Sequence, residues 1–273
     1  MRSGSRLFFA NRNAAVDSLL IGSLALTTWF AGIARRRPVT RNDAAIVLLL
    51  QLFLWTGIVL TGSRAGIALL PLVLLLQVAI LHVAGIARGI AKGLALGGGA
   101  LLPVAAGALF VADNTRLGAV LARFDFGRDA RADLWQDTMT AVANFWPVGS
   151  GVGTFTRAFL PFERLIAIDE TFPNRAHNDY LEFALESGLA GVIVLLFAAF
   201  VVTRLAMRAW RLHPAQRPTV LFALGILMVI GLHSLVDYPL RTMALACLAG
   251  MAAGLLGAIA REREPGRELD DNR

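Results

Sequence analysis

The sequence predicts an all-α fold, a polytopic helical membrane protein with about seven transmembrane helices. Of its 273 residues, 56% are hydrophobic and only 16% are charged, and the mean hydropathy is +0.63. A soluble core of this size cannot bury so much apolar surface, whereas several membrane spans account for it directly. The segments that are long and apolar enough to cross about 30 Å of hydrocarbon are 16–34, 44–60, 65–84, 93–112, 189–207, 219–235 and 243–260.

The basic character of the chain fits this class. Its pI is near 11.0, which in a soluble domain would suggest nucleic acid as a partner. Here nearly all basic residues are Arg, Lys92 being the only Lys, and many flank apolar segments. Anchoring at the cytoplasmic membrane boundary explains this arrangement, so we expect no nucleic-acid binding. The single Cys247 excludes an internal disulfide.

Short basic loops predict the orientation of the spans. Seven alternating spans bring most of the Arg clusters to one side, which the positive-inside rule makes cytoplasmic. The opposite side receives the turn at 61–64, a long loop and the turn at 233–241. The long loop carries seven Arg and eleven acidic residues, and this acidic excess is consistent with a loop on the external side of the membrane. The amino terminus also falls outside despite three Arg, so we expect that further spans precede this chain. The cytoplasmic clusters are Arg35, Arg36, Arg37 and Arg41, then Arg88 and Lys92, then Arg204, Arg208, Arg211 and Arg217, and in the tail Arg261, Arg263 and Arg267.

Four regions follow: amino-terminal membrane helices at 1–112, a periplasmic loop at 113–187, carboxy-terminal membrane helices at 188–260 and a cytoplasmic tail at 261–273. The span at 93–112 is the weakest, because it contains Gly97 to Gly99 and Pro103. A loop of this length is usually functional.

Within the loop, residues 129–144 carry Leu134, Met139 and Val142 among polar residues, which indicates an amphipathic helix. WPVGSGVG at 146–153 then breaks this helix. Its Gly149, Gly151 and Gly153 favour either a structural turn or a close backbone approach to a ligand.

The most informative polar stretch is FPNRAHNDYLEFALESGLAG at 172–191. Asn178 is a good N-cap, and Asp179 and Glu182 suit the first turn of the helix that follows. Gly188 would end this helix before the next span. His177 lies just before the N-terminus of this helix, and the positive end of the helix dipole favours the neutral imidazole that a general base needs. A role in capping the loop is the simpler alternative.

Three arginines share the outer side with this stretch. Arg64 lies between the second and third spans, Arg131 on the loop helix, and Arg241 before the last span. Each alone could be a boundary anchor. Together they favour a site for a lipid-linked diphosphate, because guanidinium groups bind phosphate through paired hydrogen bonds.

The chain resembles the O-antigen ligase and polymerase family of bacterial membrane glycosyltransferases, which have a C-type glycosyltransferase fold. The resemblance rests on ANRNAAV at 10–16, TGSRAG at 61–66, the Arg131 helix with PVGSGVGTF, AHNDYLEFALESGLAG at 176–191 and HSLVDYPLRT at 233–242. Members of the family have more spans, so the chain is similar to their carboxy-terminal portion.

The resemblance implies metal-independent, inverting transfer of a glycan from undecaprenyl diphosphate to an acceptor hydroxyl. The acceptor would be lipid A–core or a second lipid-linked glycan. The active site would face the periplasm from the bacterial inner membrane, with no cofactor. His177 would act as the base, and Arg64 and Arg131 would stabilise the leaving diphosphate. The candidate substrate-binding residues are Arg241, Asn178, Glu182, Gly151 and Gly153.

Several alternatives stay open at this point. Glu182 and Glu186 could orient His177 or bind sugar, but a solvated helix face is the simpler interpretation. His233 and Asp237 could bound the acceptor cavity or only cap a short turn. The acidic groups Asp125, Asp129, Asp133 and Asp169 with Glu170 have no His or Cys at ligand spacing, which disfavours a metal site. A lipid-linked glycan transporter or flippase, or a non-catalytic subunit of a polysaccharide export complex, would share the basic outer boundary.

Overall fold

A computed structural model describes residues 11–86, 131–164 and 173–262. The described residues form helices and 3₁₀ turns and contain no strand. The α-helices are α1 (Arg12–Ala34), α2 (Arg41–Leu60), α3 (Arg64–Val83), α4 (Arg131–Phe145), α5 (Phe155–Phe159), α6 (Asp179–Leu212), α7 (Arg217–His233) and α8 (Met243–Arg261). The 3₁₀ turns are Leu160–Phe162, Pro214–Gln216 and Pro239–Arg241.

The chain is a polytopic helical membrane protein, as predicted. In the described part, six helices are long and apolar enough to cross a membrane, namely α1, α2, α3, α6, α7 extended by the preceding 3₁₀ turn, and α8. Their bounds agree with the predicted spans to within a few residues, except that α6 begins well before its span. The predicted span at 93–112 lies outside the described residues. The amphipathic loop helix is confirmed as α4 over its described part.

Helix α1 lies at the centre of the bundle, where it packs against α2, α3 and α7. Its polar residues meet polar residues of its neighbours. The Gln77 amide donates to the Ser23 hydroxyl at 2.8 Å and to the Thr27 hydroxyl at 3.0 Å, and the Gln51 amide also reaches Ser23. Such bonds tie helices together inside a bilayer, where no water competes for them.

A side-chain cap fixes the start of α3, close to where this helix crosses α1. The Ser63 hydroxyl accepts from the Gly66 amide at 3.2 Å and begins α3. A Cβ on Gly66 would lie 2.3 Å from Val16 of α1. A glycine is therefore required where α1 and α3 cross.

Helix α6 contains the predicted break. Gly188 has φ 55° and ψ −148°, which interrupts the helix between a polar first part and the apolar span. The break leaves carbonyls of the first part without their usual helical donors. Backbone amides of the neighbouring loop replace those donors: Ser150 donates to Leu185 O and Gly151 to Glu186 O, at 2.8 and 2.9 Å.

The ends of the spanning helices form two chemically different ends of the bundle. At one end the Arg35 guanidinium at the end of α1 reaches the carbonyl of Ala215, just before α7. The other end gathers the start of α1, the start of α3, the start of α6 and the end of α7. The residues predicted to carry chemistry lie at this second end.

Candidate active site

His177 lies in the short loop that leads into α6. Its φ of 49° is left-handed, a conformation that costs a non-glycine residue about 1–2 kcal/mol. Bonds on both sides hold it there. The Ala176 amide donates to Glu182 Oε2 at 3.0 Å, and the Ala176 carbonyl accepts from Trp135 Nε1 at 3.0 Å. The Asp179 amide then bonds to the Ser234 carbonyl at 2.9 Å. Strain held by so many contacts is common at functional sites.

The imidazole is paired with a carboxylate. His177 Nδ1 lies 2.9 Å from Oδ1 of Asp237, in the turn between α7 and α8. The Asp237 side chain is buried, whereas 36% of the His177 side chain is exposed. A carboxylate on Nδ1 favours the tautomer with its proton on that nitrogen, which leaves the Nε2 lone pair as the basic position.

Asp237 is the centre of a longer hydrogen-bonded chain. Its Oδ2 accepts from Asn13 Nδ2 at 2.6 Å, and Asn13 Oδ1 accepts from the Ser63 hydroxyl at 2.8 Å. The chain Ser63–Asn13–Asp237–His177 therefore joins α1, the start of α3, the turn after α7 and the start of α6. Four of the sequence stretches that carry the predicted resemblance meet here.

The electrostatic environment keeps Asp237 ionised. Burial opposes its negative charge, but hydrogen bonds from His177 and Asn13 outweigh burial and lower the pKa of Asp237. Tyr238 packs against the imidazole with ring centroids 4.9 Å apart. Burial, together with the charge of Asp237, raises the pKa of Tyr238.

The two arginines that are predicted to be catalytic begin different helices. Arg131 begins α4, and its charge and that of Arg175 are close enough to Tyr238 to oppose the rise in its pKa. Arg64 is the first residue of α3 and directly follows Ser63, which is a member of the hydrogen-bonded chain. The structure therefore gathers Arg64, Arg131 and His177 at one end of the bundle.

Comparison with known families identifies the family of this chain. The family model for O-antigen ligases matches residues 45–196, more than half of the chain. The chain belongs to the O-antigen ligase family. Arg64, Arg131 and His177 lie inside the matched region, whereas Asn13 and Asp237 lie outside it. No curated protein matched the chain. Membership of the O-antigen ligase family indicates a membrane protein that ligates or polymerises glycans, in a family that acts on lipid-linked glycans and lipid A–core.

The positions of Glu182 and Glu186 differ from the expectation drawn from the sequence. They do not form a solvated helix face, because both are buried. Glu182 Oε1 accepts from Arg175 at 2.7 Å and lies 3.0 Å from Arg241, while Glu186 Oε2 accepts from Arg241 at 2.8 Å. Two guanidinium groups from other segments provide the neutralisation that burial demands. The His177 imidazole bonds instead to Asp237, which is therefore the residue that orients it.

This arrangement changes the interpretation of two candidate substrate-binding residues. Arg241 is engaged by two carboxylates of α6 and ties the last 3₁₀ turn to that helix. Glu182 is fully buried, with both oxygens in contact with protein groups. A structural role suits both better than direct contact with a glycan.

Asn178 is the N-cap that the sequence predicts. Its Oδ1 accepts from the amides of Tyr180 and Leu181 at 3.0 and 3.1 Å. Its Nδ2 donates to the Leu235 carbonyl at 2.9 Å. Every polar atom of this side chain therefore has a structural partner, and substrate contact by Asn178 stays a prediction.

Residues 146–153, hereafter the glycine-rich loop, form the expected turn. Gly149, Gly151 and Gly153 have φ of 87°, 104° and 79°, and the loop satisfies backbone groups at the break in α6. Ligand contact by Gly151 or Gly153 stays a prediction. Among the described residues no cluster of His, Cys, Asp or Glu has the arrangement of a metal site. Asp133 pairs with Arg164 at 2.8 Å, and the other acidic positions considered, Asp125, Asp129, Asp169 and Glu170, lie outside the described residues.

A second His–Asp pair lies behind the first. His233, the last residue of α7, has Nδ1 2.6 Å from Oδ1 of Asp17 on α1, and both side chains are fully buried. The sequence suggests that His233 and Asp237 bound an acceptor cavity or cap a short turn, but it does not indicate the partner of either residue. The only sequence signal was the presence of polar and charged residues at the ends of apolar segments.

Proposed function

We propose that the chain is a glycosyltransferase of the bacterial inner membrane. It moves a glycan from undecaprenyl diphosphate to an acceptor hydroxyl at the periplasmic face. The observation that carries this proposal is the His177–Asp237 pair, whose buried carboxylate binds Nδ1 of a partly exposed imidazole at 2.9 Å. Such a pair activates hydroxyl groups in many enzymes.

In the proposed step, His177 Nε2 takes the proton of the acceptor hydroxyl as its oxygen attacks the anomeric carbon. The bond between that carbon and the diphosphate breaks, and undecaprenyl diphosphate leaves with the electron pair. Attack from the opposite side inverts the anomeric configuration. Asp237 stabilises the imidazolium that forms, as a carboxylate does in hydrolase triads.

Arg64 and Arg131 would stabilise the charge that develops on the leaving diphosphate. The two guanidinium groups come from two elements, the start of α3 and the start of α4. The step requires no nucleotide and no metal ion.

The decisive experiment offers labelled undecaprenyl-diphosphate glycan to the protein in membranes, with and without lipid A–core, in the presence of a metal chelator. A ladder of products from donor alone identifies a polymerase. Discharge that requires lipid A–core identifies a ligase. If the donor stays intact and crosses the bilayer instead, the protein is a transporter and the proposal is wrong. The Gln51 and Gln77 amides donate to Ser23 inside the bundle and so tie spans together, which favours the enzyme.

A further inference from the structure

The glycine-rich loop exposes apolar side chains at the end of the molecule where the candidate site lies. Val148 and Val152 are 83% and 80% exposed, and Trp146 is 46% exposed. The whole stretch 138–156 contains no charged residue. In water such a surface is unfavourable, and it is typical of an interaction site.

The backbone of the glycine-rich loop is fixed, so it cannot turn these side chains inward at low cost. The Leu189 amide donates to the Pro147 carbonyl at 2.8 Å, in addition to the bonds from Ser150 and Gly151 to α6. A Cβ on Gly149 would lie 2.6 Å from the Gly188 nitrogen. The two backbones are in direct contact, and the apolar side chains project from a rigid support.

The position of the glycine-rich loop indicates what covers its exposed apolar side chains. The loop is bonded at Leu189, where the apolar span of α6 begins after the break at Gly188. Leu189, Ile193 and Phe197 are exposed along that span and face the bilayer. The exposed side chains of the loop therefore continue the lipid-facing surface at its outer edge, where Trp is favoured in membrane proteins.

We propose that the glycine-rich loop inserts Trp146, Val148 and Val152 into the outer leaflet of the bilayer. The occupant of this surface is membrane lipid. Helix α4 is then attached to the membrane through the loop at its carboxy-terminal end, while Arg131 at its other end lies near Tyr238 and the candidate site. This attachment would hold the site at the height of the lipid headgroups, independently of the transfer reaction.

The test measures the depth of single spin labels in vesicles of phosphatidylethanolamine and phosphatidylglycerol that contain no polyprenyl donor. Cys247→Ser first removes the exposed native cysteine. Val148→Cys and Val152→Cys then carry the label, with Thr140→Cys and Asn144→Cys as controls on exposed polar positions of α4. We expect oxygen to reach the labels at 148 and 152 better than an aqueous nickel chelate does, as for groups about 5–10 Å inside the headgroup boundary. The two control labels should show the opposite preference.

Equal exposure of all four labels to the nickel chelate would overturn the proposal. Protection at 148 and 152 that develops only after donor is added would also overturn it, since the surface would then bind the donor's polyprenyl chain. A label-free measurement guards against disturbance by the labels: brominated lipids should quench Trp fluorescence less in Trp146→Phe than in the wild type. Equal quenching in both proteins would contradict insertion of Trp146.

Discussion

Two His–Asp pairs of similar geometry lie at the same end of the bundle, and they differ in their access to the surroundings. His177 and Asp237 meet at 2.9 Å, with 36% of the His177 side chain exposed. His233 and Asp17 meet at 2.6 Å with neither side chain exposed. Helix α1 contacts both pairs, through Asn13 and, one turn later, through Asp17. Pairing with a carboxylate therefore does not identify a base by itself, because a base must also reach its substrate.

Replacing the exposed histidine should have the largest effect on activity. His177→Ala removes the proposed base, and the rate of glycan transfer should fall roughly 10²- to 10⁴-fold, the usual contribution of general-base catalysis. The measurement is single-turnover discharge of labelled donor in membranes. His82→Ala is the matched control, since this exposed histidine lies at the opposite end of the bundle. A well-folded His177→Ala protein with wild-type rate would refute the assignment.

Asp237→Asn tests whether the carboxylate makes His177 a base. The amide keeps the shape but can present its NH₂ group to Nδ1, which moves the imidazole proton to Nε2 and blocks the acceptor hydroxyl. We expect the rate to fall about 10²-fold, less than the largest loss known for such a change in a hydrolase triad. The pH profile of the rate should change as well, a result that a purely structural role would not produce. Unchanged rate and profile would mean that Asp237 only anchors the turn after α7.

The buried pair should respond in stability rather than in rate. His233→Leu leaves the Asp17 carboxylate buried without its partner, and the free energy of unfolding should fall by about 3–5 kcal/mol. The double variant His233→Leu with Asp17→Leu should recover much of this loss, because no charge is then buried. Thermal unfolding in detergent measures both. If His233→Leu keeps its stability but loses turnover as His177→Ala does, the distinction between the pairs is wrong.

The sequence predicted the fold well because each span is a local signal of hydropathy. It also predicted the local features of the site, since the Asn178 cap and the break at Gly188 depend on neighbouring residues. It missed the pairing of His177 with Asp237, sixty positions along the chain. That contact depends on how α1, α6 and α7 pack, and no local pattern encodes it.

The same limit explains the error at Glu182 and Glu186. Two carboxylates one turn apart at a helix start are typical of a solvated face. They are buried here because Arg175 and Arg241 reach them from the preceding loop and from the last 3₁₀ turn. Burial of a charge is decided by its partner, and a distant partner cannot be identified from the charge alone.

The smallest expected effect concerns the dependence of stability on pH. Hydrogen bonds lower the pKa of Asp237 below its ordinary value of 3.8 in the folded protein, so the folded state binds its proton less readily than the unfolded state does. The resulting stabilisation is complete above pH 3.8 and is lost as the pH falls through the folded pKa. Wild type and Asp237→Asn should therefore differ by a constant amount at mildly acidic and neutral pH and converge in strong acid. Thermal unfolding of both proteins over this range checks the sign, and a difference that grows towards low pH would show that the His177–Asp237 pair does not favour the ionised carboxylate.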